Sequence, residues 1–355
     1  MTTLNFALLG CGRIAQKHIE AIGDLEHGEI VAVCDVLPAL AEKTGKDLGV
    51  PYFTDLDTML RGVPSIDIVN VLTPSGMHPE HAIRCAKQGK HIVVEKPMAL
   101  RLEDADQMIL ECDRAGVRLF VVKQNRYNPP VQRLRSALEE GRLGRPVIGT
   151  VRVRWCRRQD YYELADWRGT WALDGGVLTN QASHHIDLLL WMMGPVDSVF
   201  AQTATRLVDI ETEDTAAVVL KFASGALGII EATTATRPKD LEGSLSILGE
   251  NGSVVIGGFA VNEVLIWEFE DTADEDDVVG EETRTVPDNV YGYGHKAFMR
   301  NVADCVRSGG AALVDGLEGR HSLELIHAIY ESVETGREVR LRFRPERSPL
   351  GRTEP

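Results

Sequence analysis

The sequence predicts an α/β chain in two units: a doubly wound parallel sheet, then an α+β unit with a large, open, mostly antiparallel sheet. Three observations carry this expectation. Through about residue 123, short continuous apolar runs alternate with helical periods. The first run ends in a Gly-x-Gly-x-x-Ala turn. Beyond residue 124 the rhythm changes to alternating strands joined by tight turns. A chain of 355 residues also exceeds the ~250–300 at which single cores stop growing, so two domains are expected.

In order, the apolar runs are Leu4 to Leu9, Glu29 to Cys34, Ile66 to Leu72, His91 to Val94 and Val117 to Val122. Helical periods fall between them at Ile14 to Ile22, Ala39 to Leu48, Pro79 to Gln88 and Leu102 to Ala115. Continuous runs suit strands covered on both faces, and the strand-helix alternation suits a parallel sheet. Pro79 opens and Gly89 closes one of these helices, as start and stop chemistry requires. The second unit begins with an amphipathic helix (Val131 to Leu138) and a strand near Val147 to Trp155. A helix is expected from about Gly176 to Met193. The strands Ala216 to Phe222 and Ala226 to Ala232 turn at Ser224-Gly225. The strands Ser244 to Leu248 and Ser253 to Ile256 turn at Asn251-Gly252, a strong hairpin signal. A closing helix spans about Leu317 to Glu334. The expected domains are therefore residues 1–124 and 125–345, with 346–355 as a loose tail.

Charge and composition exclude several functions. A formal net charge of -15 argues against broad contact with nucleic acid or an anionic membrane. Part of that excess is one acidic stretch, Glu268 to Glu282, read as a solvated loop because it lacks the spacing and central glycine of a calcium loop. The six cysteines are scattered with no Cys-x-x-Cys pair, as in a reducing compartment. No apolar run approaches the ~20 residues that span a bilayer, and no leader-like segment opens the sequence, so a cytoplasmic location is expected.

The turn Gly10-Cys11-Gly12-Arg13-Ile14-Ala15 follows a strand and opens a helix. Gly10 permits the tight turn and Gly12 permits close approach of a pyrophosphate, which would rest on the helix N-terminus near Arg13 and Ile14. Asp35 ends the second strand, where it can accept hydrogen bonds from both ribose hydroxyls and repel a 2′-phosphate. Val36 and Leu37 offer no arginine to offset that repulsion. A Rossmann-type domain preferring NAD to NADP is expected.

Two further segments carry chemistry. Glu95-Lys96-Pro97 follows a parallel strand at its carboxyl end, where ligands bind in such sheets. Lys96 can there donate to, or take a proton from, a reacting oxygen; a surface ion pair is the alternative. Asn180, His184 and Asp187 fall on one stripe of the expected helix, opposite the apolar Leu178, Ala182, Ile186, Leu189 and Met193. His184 is the natural acid-base group of that stripe; a satisfied half-buried histidine is the alternative. His185 points elsewhere and reads as structural. His78, His81 and the adjacent pair His184 and His185 lack a third ligand at known spacing, so no metal is expected.

Together with Asn70-Val71-Leu72-Thr73-Pro74, His78, Trp167-Arg168, Gly175-Gly176 and Asp315 to Arg320, these motifs make the chain resemble the Gfo/Idh/MocA oxidoreductase family over nearly its whole length. The resemblance implies hydride transfer between nicotinamide and a sugar-type carbinol, with Lys96 and His184 as catalytic groups. It also implies cofactor contacts at Thr73, Pro74, His78, Glu95, Trp167 and Arg168. Many members have Asp where this chain has Asn180, which puts a carboxylate-histidine relay in doubt. Within the family the likeness is to dehydrogenases of the 3″-hydroxyl of UDP-N-acetylglucosamine or its uronate (WlbA/WbpB-type). Inositol or monosaccharide dehydrogenases, and a non-catalytic NAD-binding sensor, are the alternatives. From Arg126 to Arg168 the chain carries ten arginines, no lysine and five acids, which suits an anionic substrate or the cover of an outer sheet face. Arg126, Asn128 and Tyr291 are further candidates for gripping the substrate. Members of the family also form dimers or tetramers through the open face of the second sheet, so a homo-oligomer is expected.

Overall fold

The computed structural model describes residues 2–258, 260–270 and 294–341. Most of the acidic stretch, Tyr291 and the terminal tail lie outside these residues. The first unit alternates strands and helices in chain order: β1 (Leu4–Leu9), α1 (Ala15–Gly23), β2 (Gly28–Cys34), α2 (Pro38–Leu48), β3 (Tyr52–Phe53), α3 (Leu56–Gly62), β4 (Ile68–Val71), α4 (His78–Lys87), β5 (His91–Val94), α5 (Leu102–Ala115) and β6 (Leu119–Val121). Among the described residues these strands form one parallel sheet in the order β3-β2-β1-β4-β5-β6. The continuous apolar runs are buried as expected: all four residues of β4 and the last three of β5 are covered. At about 1.5–3 kcal/mol for each large apolar side chain buried, such two-sided cover is what holds a sheet of short strands together. Pro38 starts α2 at its first turn, and Gly49 and Gly116 end α2 and α5 in the left-handed region.

The order reverses between β1 and β4, so a crevice opens beyond their carboxyl ends. The loops after β1, β4, β5 and β6 carry Gly10, Thr73-Pro74, Glu95-Lys96 and Lys123-Gln124 to that edge.

The second unit follows with α6 (Pro129–Glu139), β7 (Pro146–Arg154), α7 (Gln159–Tyr162), α8 (Ser183–Met193), β8 (Val196–Ala204), β9 (Thr215–Phe222), β10 (Leu227–Thr233), β11 (Glu242–Gly249), β12 (Gly252–Gly257) and β13 (Glu263–Phe269). Then come α9 (Gly294–Ser308), α10 (Gly316–Thr335) and β14 (Val339–Arg340). Among the described residues its sheet runs β13-β12-β11-β7-β10-β9-β8-β14, antiparallel except where β7 lies parallel to β10. The turns at Ser224-Gly225 and Asn251-Gly252 join antiparallel neighbours. One face of this sheet packs under α6 and α8 with Val151, Val153, Ile186, Leu189, Val218, Leu245 and Ile247 in a common core. The other face is open.

The last two helices cross back. Phe298, Met299, Val302 and Ala303 of α9 share a core with Phe6, Leu8, Val33 and Phe120 of the first sheet. Asp315 caps α10 by accepting from the Glu318 amide at 2.9 Å, and α10 then touches α5 and β6 on one side and α8 and β8 on the other. It is the strut that sets the two sheets around the crevice.

One expected element is shorter than anticipated: α8 begins at Ser183, not near Gly176. Gly175 is left-handed (φ 88°), and the amides of Val177 and Leu178 bond to the carbonyl and carboxylate of Glu213 at 2.9 and 3.0 Å. Gly176 makes this possible, since a Cβ there would lie 2.1 Å from that carboxylate. The turn closes with Ala182 bonding back to Val177, so Asn180 precedes the helix and does not share a helical stripe with His184.

Candidate active site

At the nucleotide end, Gly10 has φ 105°, and a Cβ on it would meet the Leu72 carbonyl at 2.7 Å. Gly12 faces open space, with no atom within 4 Å of where its Cβ would be. The N-terminus of α1 has no side-chain cap, and although the Ala15 and Lys17 amides bond the carbonyls of Gly12 and Ile14, its positive end faces the glycine turn. Asp35 accepts from the Cys11 amide at 2.7 Å and from the Leu37 amide at 2.9 Å, which fixes its carboxylate beside the glycine turn. Val36 and Leu37 are exposed and neither carries a charge. These residues fit a dinucleotide with an unmodified ribose. Arg13 is exposed and Ile14 half-buried at the start of α1.

Next along the edge, His78 ties two loops together. Its ring nitrogens lie 2.8 Å from the carbonyls of Thr73 and Pro97, so the Thr73-Pro74 loop and the turn after Lys96 are held to each other. Thr73 in turn bonds His81 at 2.9 Å. Beneath the edge, Glu95 is buried against His18, whose Nε2 donates to it at 2.9 Å while the Asn70 amide donates to Nδ1 at 2.8 Å. His295 of α9 lies 3.8 Å from the same carboxylate. Although burial alone would raise the Glu95 pKa, these two histidines hold it well below the usual carboxylate range. His18, Glu95 and His295 also bring three metal-ligating atoms together, yet the bonds from Asn70 and to Glu95 account for both nitrogens of His18.

Lys96 reaches across from the first sheet to the second unit, where Nζ donates to the Asn180 carbonyl at 2.6 Å. Burial lowers its pKa from the usual lysine value; Glu95 and Asp174 partly offset this, and Arg168 adds to it. His184 lies in the same enclosure. Burial, then the charges of Lys96 and Lys123, push its pKa well below the usual histidine value, so it stands neutral. The Gln124 side-chain amide lies 3.2 Å from His184 Nε2, so Nδ1 is the ring nitrogen left over. That Nδ1 and Gln124 Oε1 are buried without a hydrogen-bond partner among the described residues. Two polar atoms left this way at one edge are what a bound hydroxyl would satisfy.

The remaining candidates divide. Arg168 lies over the rings of Trp167 and Tyr161 at 4.6 and 4.5 Å and donates to the Tyr161 hydroxyl at 2.7 Å, at the mouth of the Lys96 enclosure. Arg126 is already paired within the protein. It is buried, forks onto Asp187 at 2.7 and 2.9 Å and bonds Glu318 at 2.9 Å. Asp187, expected on one stripe with His184, is committed to that pair and lies 3.8 Å from Lys123. Asn128 is likewise buried, donating to the Ala260 carbonyl at 2.8 Å. Both side chains leave a short turn that points into the protein, where a buried guanidinium needs carboxylates and a buried amide needs carbonyls. Of the ten arginines, Arg152 and Arg154 pair with Glu231 and Glu242 on the outer sheet face. His185 is buried edge-on to Trp155, and burial lowers its pKa to about 4, consistent with a structural residue.

Sequence reasoning passed over Lys123, Gln124, Asp174 and Glu213. The first two follow a parallel strand, so the rule that drew attention to Lys96 applies equally to them. Asp174 and Glu213 lie in irregular segments and carried no local signal.

Two family models cover this chain: an oxidoreductase-family NAD-binding Rossmann fold at residues 4–123 and the same family's C-terminal alpha/beta domain at residues 135–341. The chain belongs to the Gfo/Idh/MocA oxidoreductase family. Its Rossmann domain binds NAD. The WlbA dehydrogenase of Bordetella pertussis, solved with NADH and UDP-GlcNAcA, is 44% identical with a TM-score of 0.91, over 97% of this chain and 99% of that one. WlbA from Chromobacterium violaceum, solved with the same two ligands, is 44% identical with a TM-score of 0.90, over 97% of each chain. The myo-inositol 2-dehydrogenase of Thermotoga maritima is 29% identical, over 95% of this chain and 98% of its own. No helix among the described residues is long and apolar enough to cross a membrane.

Proposed function

We propose that this NAD-dependent member of the family oxidises the 3″-hydroxyl of a UDP-N-acetylhexosamine or its uronate. The observation that carries the reading is the convergence of Lys96 and His184 on one enclosure, in a chain 44% identical to two enzymes solved with UDP-GlcNAcA. NAD, when bound, supplies the hydride acceptor. The Lys96 ammonium holds the substrate hydroxyl and stabilises negative charge developing on its oxygen. That charge makes the hydroxyl more acidic, so the neutral His184, a weak base, can take its proton. Asn180, through its carbonyl, sets where the Lys96 ammonium sits. Thr73, Pro74, His78, Glu95 and Trp167 shape the nicotinamide side, and Arg168 serves the anionic part of the substrate.

The myo-inositol dehydrogenase relative supports a second reading, a cyclitol as substrate. One experiment separates the two: the protein with NAD and, in parallel, UDP-GlcNAcA, UDP-GlcNAc, myo-inositol and free hexoses, followed by reduced-nicotinamide absorbance. Turnover only with the UDP-sugars supports the first reading, and turnover only with inositol overturns it. Cofactor binding without turnover on any substrate points to a sensor.

We also propose that the open face of the second sheet pairs with a second copy of the chain. Phe200, Val219, Leu227 and Ile229 are exposed together on β8, β9 and β10, beside the Arg154–Glu231 pair. All six cysteines are free and five are buried, which fits a cytoplasmic home.

A further inference from the structure

Resting on the catalytic reading of Lys96 and His184, we propose that Asp174 is the positioning carboxylate of this site, supplying from a neighbouring loop the charge that Asn180 lacks. Asp174 is 1% exposed. One oxygen accepts from the Gly169 amide at 2.8 Å, and the other accepts from the side-chain amide of Asn180. Asn180 in turn offers its main-chain carbonyl to Lys96 Nζ at 2.6 Å. The chain of contacts is therefore Gly169, Asp174, Asn180, Lys96.

The chemistry at positions 174 and 180 is complementary. Burial raises the Asp174 pKa above the usual carboxylate value, and the Gly169 and Asn180 amides with the charges of Arg168 and Lys96 oppose that rise. As a carboxylate it only accepts, so it holds the Asn180 amide with its NH2 inward and its carbonyl oxygen turned away. A second carboxylate at 180 would stand within hydrogen-bond reach of the first, and two such groups cannot both ionise. With Asp174 present, asparagine is the residue that position 180 requires. Asn180 is thus one half of a displaced carboxylate site, and its identity is no sign of lost activity. The charge also reaches Lys96: burial lowers its pKa and Arg168 adds to this, while Glu95 and Asp174 favour the charged ammonium.

The test uses the full-length protein and four forms: wild type, D174N, N180D and the exchanged pair D174N/N180D. The exchange keeps one carboxylate and one amide, with the amide at 174 able to accept from Gly169 and donate to position 180. Steady-state rates are measured with the substrate found active, and the Lys96 pKa is read by NMR of 13C-labelled lysine without substrate. D174N is expected to lower kcat about 10- to 100-fold through misplacement of Lys96, with NAD affinity kept. Its Lys96 pKa is expected to fall by about one unit. N180D is expected to lower kcat as well, because the facing carboxylates share a proton. The exchanged pair is expected to recover most of the rate and the Lys96 pKa. Wild-type kcat and Lys96 pKa in D174N overturn the proposal, as does an exchanged pair no better than its parents. Should D174N not fold, N180D and its rescue by the exchange carry the same comparison. If wild type turns over no sugar, the functional reading falls while the Lys96 titration still decides the role of Asp174.

Discussion

Lys96 Nζ and the main-chain carbonyl of Asn180 lie 2.6 Å apart, and that single bond joins the end of a parallel strand to the segment leading into the His184 helix. It places an ammonium beside an imidazole that burial and nearby cations keep neutral. Two predictions follow from their separate jobs. Lys96→Met removes the charge on the developing oxyanion and His184→Ala removes the proton acceptor, so each lowers kcat at least ~100-fold. NAD affinity, read by fluorescence titration, stays within a few-fold in both. Near-normal kcat in both variants sinks the assignment. Because the His184 pKa is pushed below 6.5, the acid limb of the kcat/KM profile is expected below that pH.

Coenzyme choice rests on Asp35. Its carboxylate is fixed by two amides, and the two exposed residues that follow carry no positive charge. The double variant D35S/V36R removes the repulsion and adds a cation that matches a 2′-phosphate. The ratio of kcat/KM for NADP over NAD is expected to rise by more than ~100-fold, on the order of 3 kcal/mol of differential binding. An unchanged ratio means the ribose lies elsewhere.

How much of this was legible beforehand depends on the kind of signal. The Rossmann half was readable because its central strands β1, β4, β5 and β6 are covered on both faces and the loops at their carboxyl edge carry polar residues that a buried sheet does not need. Gly10, Asp35 and Lys96 stand out for that reason. The second sheet announced itself through short apolar strands joined by the turns Ser224-Gly225 and Asn251-Gly252. Strand β8, strand β13 and helix α9 were not anticipated, and neither was the parallel pairing of β7 with β10. Pairing across 79 residues is a tertiary choice that no local pattern encodes. The same limit explains Arg126: its partners Asp187 and Glu318 are 61 and 192 residues away, so a candidate anion receptor in sequence is a buried ion pair in space.

That ion pair predicts a stability defect in place of a binding defect. Arg126→Ala removes the forked partner of buried Asp187 and leaves Lys123 3.8 Å away, and breaking a buried pair costs about 3–5 kcal/mol. Chemical denaturation of the apoprotein is expected to show that loss. KM for the sugar in the surviving folded fraction is expected to stay near wild type, because the guanidinium is turned away from the crevice. A raised KM with wild-type stability returns Arg126 to the substrate site.

Glu213 carries the last prediction. Its carboxylate accepts from the Leu178 amide at 3.0 Å and from the Tyr330 hydroxyl at 3.0 and 3.1 Å, beneath the turn that presents Asn180. Burial nevertheless dominates and raises its pKa from 4.5 to about 7, with Asp214 adding to the rise. A carboxylate raised in the folded state binds more protons there than in the unfolded chain between these two values. Stability therefore falls as pH rises through this window, by up to ~3 kcal/mol for this group alone, and levels off above it. Glu213→Gln removes the titration while keeping an acceptor for Leu178 and a partner for Tyr330. Thermal melts of wild type and E213Q from pH 5 to 8 test it. The difference in Tm between variant and wild type is expected to shift in the variant's favour across that range. A constant difference means that Glu213 stays ionised in the fold and that its two donors outweigh burial.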